Sequence, residues 1–222
     1  MKIKAVVFDM DGLIFDTERI SRETWKLAEK EFSFSCSEEF LSRLIGVSHQ
    51  NIFEIYTDYF GNYDFGKSIY EWRHKKIVQI METDGIGIKP GVPEIFDYLT
   101  TKGIPMALAT SSDREKVDFS FRHANLRNPF KIIISGDMIK HSKPHPEIYL
   151  QAAKALNTSI TECMVLEDSI NGVLGANASG AVSVMIPDMI APTKAIQESV
   201  FAIKKSLFDV IALIESINKK EK

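Results

Sequence analysis

Residues 5–18 read AVVFDMDGLIFDTE: a short apolar run that ends in Asp9, one methionine, and then Asp11. With Ile3 ahead of it, the run to Phe8 has the composition of a strand buried on both faces. Two carboxylates that close repel each other, and burying either unpaired is expensive. The rest of the chain must therefore bring compensating charge to the end of this first strand.

After Thr17 the texture changes. From Glu18 to about Glu82 the period is helical, and this stretch carries four of the six tyrosines and both tryptophans. Breaks at Ser33–Ser37, Gly46–Ser48 and Gly61–Gly66 divide it into four helices. Beyond Pro90 strands and helices alternate. The strands are Ile104–Ala109, Lys131–Ile134, Cys163–Leu166 and Val182–Ile186. Helices open at Pro93, at a Ser112-x-x-Glu115 capping box, at Pro146 and at Ser169, and Leu207–Ile217 is an amphipathic helix. Such alternation predicts a Rossmann-like α/β fold, a parallel sheet with helices on both faces. The core then comprises residues 1–15 and 88–222, and residues 16–87 form an all-helical cap domain, a four-helix bundle, inserted after the first strand. In open parallel sheets ligands sit at the carboxyl ends of the strands. The insert should therefore overhang the site.

The strand ends hold an unusual set of polar residues. Strand one ends in Asp9 and Asp11, the second in Thr110-Ser111-Ser112, and the strand Met164–Leu166 in Glu167-Asp168; the loop after Ile134 carries Lys143. Four acids along one sheet edge call for a counter-ion. Mg²⁺ takes oxygen ligands and is held by one or two carboxylates plus substrate phosphate. Asp9 and Asp168 can supply the carboxylates, while Lys143, the Thr110 hydroxyl and the N–H groups of the Thr110–Ser112 turn suit phosphate oxygens.

Composition narrows the class further. The 222 residues carry a net charge of −3 with no basic block, so no nucleic-acid footprint is visible and none is expected. No apolar stretch reaches the ~18 residues of a membrane span. The two cysteines, Cys36 and Cys163, lack metal-type spacing and are expected to be reduced. A cytoplasmic monomer acting on a small phosphorylated metabolite is the expectation.

The motifs DMDGLIFDTE (Asp9–Glu18), ALATSS (Ala107–Ser112), SKPHPEIY (Ser142–Tyr149) and VLEDSINGV (Val165–Val173) occur in the order found in haloacid dehalogenase-like phosphohydrolases. The chain resembles that family over essentially its whole length, and most closely the beta-phosphoglucomutase-like phosphatases. The resemblance implies a Mg²⁺-dependent phosphatase in which Asp9 is the nucleophile and Asp11 the general acid and base. It further implies that the Asp11 carbonyl, Asp9 and Asp168 ligate the metal, with Glu167 supporting its water shell. Phosphate would be bound by Met10, Thr110, Ser111 and Lys143, and Glu18, Ser48 and His49 are candidates for substrate contacts from the cap. Mutases of this family carry a cap histidine where Ser21 stands and an arginine where His49 stands, so hydrolysis is favoured over phosphoryl return. Receiver domains gather similar groups but are about half as long and lack the insert. Dehalogenases of this fold typically lack the second aspartate and need no metal.

Overall fold

A computed structural model describes residues 2–44 and 49–219. Among these described residues six strands form one sheet: β1 (Ala5–Phe8), β2 (Met106–Ala109), β3 (Ile132–Ile134), β4 (Cys163–Glu167), β5 (Val182–Met185) and β6 (Ala202–Ile203). Their order is β3-β2-β1-β4-β5-β6, and every neighbouring pair is parallel. The chain lays β2 and β3 on one side of β1, then crosses to add β4, β5 and β6 on the other. The point where that order reverses lies between β1 and β4, where ligands bind in sheets of this kind. The register pairs Phe8 with Leu166, so Asp9 and Asp168 emerge from adjacent strands just beyond it.

Alternation along the strands divides the core in two. Val6, Phe8, Leu108, Met164, Leu166 and Val184 face helices α5 (Val92–Thr101), α6 (Arg114–His123) and α10 (Leu207–Lys219). Val7, Ala107, Ala109 and Val165 face α7 (Glu147–Ala155) and α8 (Ile170–Ser179). The small residues on this second face let Tyr149 and Ala152 of α7 and Ala176 of α8 pack closely; all three are fully buried. The two-residue edge strand β6 escapes sequence pattern because it is too short to show a period.

Between β1 and α5 the described residues form four helices, α1 (Thr17–Phe32), α2 (Glu38–Arg43), α3 (His49–Phe60) and α4 (Tyr63–Asp84); the break expected at Gly46–Ser48 lies outside the described residues. They enclose their own core of Trp25, Ala28, Phe40, Tyr56 and Ile69. The break expected at Gly61–Gly66 is shorter than its glycines suggest. Asn62 caps α4 by accepting from the Phe65 N–H, and Gly66 lies within the helix, where a Cβ would come 3.2 Å from that of Tyr56. Close packing of α3 on α4, not a turn, is what that glycine serves.

The chain enters and leaves this insert through two paired segments. Asp16 N–H donates to Gly87 O and Lys89 N–H to Ile14 O, each at 2.9 Å, around an antiparallel bridge between Phe15 and Ile88. Cys36 and Cys163 are both free thiols. Among the described residues, no helix is long and apolar enough to cross a membrane.

Candidate active site

Asp9, the first residue past β1, is 7% exposed, and its Oδ1 accepts from Lys143 Nζ at 2.6 Å. The Lys143 ammonium is buried and also donates to Glu167 Oε1 at 2.5 Å and to Ala109 O at 3.1 Å. Burial works against this cation, but the charges of Asp9 and Glu167 outweigh it and hold its pKa well above the usual lysine value. Glu167 closes β4 with a carboxylate 1% exposed, fixed by the Tyr149 hydroxyl at 2.6 Å and the Ser169 hydroxyl at 3.1 Å. Glu167 is thus the orienting partner of Lys143. Tyr149, two helical residues beyond the Lys143 loop, is a site residue the sequence reading passed over; its place in the motif SKPHPEIY was the available signal.

Asp9, Glu167 and Asp168 offer carboxylate oxygens within 4.8 Å of one another. Burial, followed by the other carboxylates nearby, pushes Asp168 well above the usual range. Burial likewise lifts Asp9 to about 7 against the pull of Lys143, with Glu167 and Asp11 adding to the rise. One lysine does not neutralise three buried acids. An all-oxygen, acid-rich set of this kind fits a hard divalent cation. The turn beside it is cut to size: Gly12 has φ +79°, and a Cβ there would lie 2.1 Å from Asp168 Oδ2. Only glycine allows both the left-handed backbone and the approach of the acid.

Asp11 belongs to a different network. Its Oδ1 accepts from the Thr17 hydroxyl at 2.8 Å and its Oδ2 from the Ser112 hydroxyl at 2.7 Å, while Lys116 Nζ lies 3.0 Å from Oδ1. Burial alone would raise this carboxyl, yet Lys116 and the two hydroxyls outweigh it and hold Asp11 below the usual range. The two aspartates are therefore pulled apart in protonation, with Asp9 the higher, the reverse of the order that the roles of ionised nucleophile and protonated acid imply. Ser112 is not the helix cap that the Ser112-x-x-Glu115 pattern implies. Asp113 caps α6 by accepting from the Lys116 N–H at 2.8 Å, which frees the Ser112 hydroxyl for Asp11. Lys116 went unread in the sequence, although side chains in a first helical turn point back towards the N-terminus and so towards this loop.

The remaining candidates fall around these two groups. Thr110 is buried at the end of β2 and accepts from the Ser112 N–H; the Ser111 hydroxyl is buried without a partner among the described residues. Met10 is fully buried and its carbonyl accepts from the N–H groups of Ile14 and Phe15. Glu18, in the first turn of α1, is lifted to about 7 by burial and then by the charge of Asp11. His49 opens α3, and Ser48 lies outside the described residues. Ser21, at the mutase-histidine position, is bound instead by the buried Arg73 guanidinium, which donates to its carbonyl at 2.9 Å and its hydroxyl at 3.2 Å.

The family model for haloacid dehalogenase-like hydrolases matches residues 6–186. The phosphorylated carbohydrates phosphatase of Thermotoga maritima is 28% identical over an alignment covering 96% of this chain and 91% of that protein. Hexitol phosphatase B of Escherichia coli (strain K12) is 27% identical, covering 84% of each. Among solved structures, beta-phosphoglucomutase from Clostridium difficile superposes with a TM-score of 0.79 at 20% identity, over 99% of this chain and 98% of that one. A likeness at that identity speaks for the fold alone.

Proposed function

The chain belongs to the haloacid dehalogenase-like hydrolases and is a phosphoric monoester hydrolase, and from that premise we propose a Mg²⁺-dependent phosphatase of small phosphorylated sugars, polyols or nucleosides. One observation carries this reading. A buried Asp9 carboxylate lies on Lys143, at a strand end shared with Asp168, while a second aspartate two residues on is held by separate donors.

Asp9 is the nucleophile. Its free oxygen attacks phosphorus, the bond to the substrate alcohol breaks, and Asp11 gives the leaving oxygen a proton. Water then attacks the aspartyl-phosphate, Asp11 takes the water's proton, and the bond between phosphorus and Asp9 breaks to release phosphate. Lys143 and the Thr110 and Ser111 donors neutralise the phosphoryl oxygens, which is most of the work in such a transfer. Asp9, Asp168 and the Asp11 carbonyl would hold the cation, which when bound would supply further neutralisation of phosphate charge. Both carboxylates must ionise to hold it, so loading releases protons. Before Asp11 can donate, it has to take up a proton and loosen its contact with Lys116. Helices α1–α4 act as a lid on this chemistry, and no second subunit is required.

Two features support hydrolysis over phosphoryl return. No histidine stands at position 21, and the serine there is tied up by Arg73. The relatives named for carbohydrate and hexitol phosphates support the sugar and polyol classes, and Glu18 beside Asp11 disfavours bisphosphates. The test is phosphate release from a panel of phosphorylated metabolites with Mg²⁺, native chain against Asp9→Asn. Release from a related group of substrates, lost in the variant, is expected. Normal turnover by Asp9→Asn would remove Asp9 from the role of nucleophile.

A further inference from the structure

Asp188 follows β5 in a loop whose Ile186 N–H donates to Glu167 O at 2.7 Å, which brings the loop against the end of β4. One Asp188 oxygen, Oδ1, is paired with Lys89 Nζ at 2.6 Å. The other, Oδ2, is sealed from solvent and accepts no hydrogen bond from any described residue. A buried carboxylate oxygen without a donor is costly, and a native fold retains one only where something else satisfies it.

Its position says what that is. The point where a Cβ on Gly12 would stand is 2.1 Å from Asp168 Oδ2 and 3.4 Å from Asp188 Oδ2, so the two oxygens are at most about 5.5 Å apart. Asp188 is not among the carboxylates, Asp9, Glu167 and Asp168, whose oxygens all lie within 4.8 Å of one another. The span is within reach of one water that would sit on a cation held by Asp168 and donate a hydrogen bond of about 2.7 Å to Asp188 Oδ2. Lys89 holds the carboxylate by its far oxygen and leaves Oδ2 turned to the Gly12 turn.

We propose that Asp188 is a positioning residue of the metal centre: it accepts a hydrogen bond from a water bound to the cation that Asp9 and Asp168 hold. This rests on the reading of Asp9 and Asp168 as metal ligands. An acceptor of this kind orients the bound water and raises affinity for the ion without touching it. Lys89 belongs to the segment that returns from the helical insert, so the same pair joins that segment to the cation.

The experiment is a Mg²⁺ titration, with no substrate present, followed by calorimetry and by the metal-induced rise in melting temperature. Asp188→Ala is expected to weaken the Mg²⁺ midpoint about tenfold. Lys89→Met/Asp188→Ala, which keeps the local net charge, is expected to show the same loss, and Asp188→Asn, which keeps an acceptor oxygen, a smaller one. Binding within about twofold of native in either alanine variant, while Asp168→Ala has lost the ion, would overturn the role given to Asp188. Recovery confined to the double variant would mean that Asp188 only neutralises Lys89, and overturns it equally. Native-like binding by Asp168→Ala would strike the metal assignment itself, and this inference with it.

Discussion

Gly172→Ala puts two well-defined effects in opposition. Gly172 is the third residue of α8, with an ordinary helical backbone, and alanine is a better helix former there by about 1 kcal/mol. On propensity alone the variant is the more stable protein. The added methyl, however, would stand 2.0 Å from Glu167 Oε2 and 2.2 Å from Oε1, against a carboxylate that is 1% exposed and cannot retreat into solvent. Glu167 must leave its place and abandon Lys143, Tyr149 and Ser169. Separating a buried, hydrogen-bonded ion pair costs about 3–5 kcal/mol. The net expectation is a loss of about 2–4 kcal/mol after the helix gain, a fall of about 1 M or more in the urea midpoint. Phosphate release should fall with it, because Lys143 loses the group that orients it. Glu167→Gln, isosteric but uncharged, should lose less stability than Gly172→Ala. A urea midpoint at or above native in Gly172→Ala would refute the claim that the packing of α8 on Glu167 fixes the lysine.

Three other outcomes are expected. Gly12→Ala meets both a left-handed backbone and Asp168, so it should weaken Mg²⁺ binding more than it lowers metal-free stability, read by the same titration. Lys116→Met removes the cation that holds Asp11 down; at saturating Mg²⁺, where Asp9 is ionised and the alkaline limb of the kcat/KM profile reports the proton on Asp11, that limb should move up by about 1 pH unit or more; an unmoved limb would take Asp11 out of the acid's role. Asp9 and Glu18 both sit at about 7 in the fold, above the unfolded carboxylate values of 3.8 and 4.5. The folded state therefore binds more protons than the unfolded one between about pH 4 and 7, and stability falls as pH rises through that window. The melting temperature of the metal-free protein should drop from pH 5 to 7.5, and Mg²⁺ should flatten the slope.

The parts legible in the sequence were those with a period or a motif. Five strands, the four helices of the insert and the residues at the strand ends follow from alternation and from chemistry that needs a counter-ion. What escaped depends on contacts between residues far apart in the chain. Nothing local separates Ser112 from Asp113 as the cap of α6; the choice is made by Asp11, 101 residues earlier, which takes the Ser112 hydroxyl. Lys116, Tyr149 and Asp188 matter only because the sheet order brings their helices and loops to one edge. The protonation order of Asp9 and Asp11 was hidden for the same reason, since burial and Lys116 decide it rather than the two-residue spacing.

The paired segments around Phe15 and Ile88 have a consequence beyond this chemistry. The ends of the helical insert are held at hydrogen-bonding distance of each other through backbone groups. Joining ends already so close costs little and depends only weakly on what lies between them. A tight turn, a longer bundle or an unrelated small fold could be spliced there without disturbing the sheet. If the insert selects the substrate, as proposed, selectivity could change by exchange at this one seam while Asp9, Asp168 and Lys143 stay where the sheet holds them.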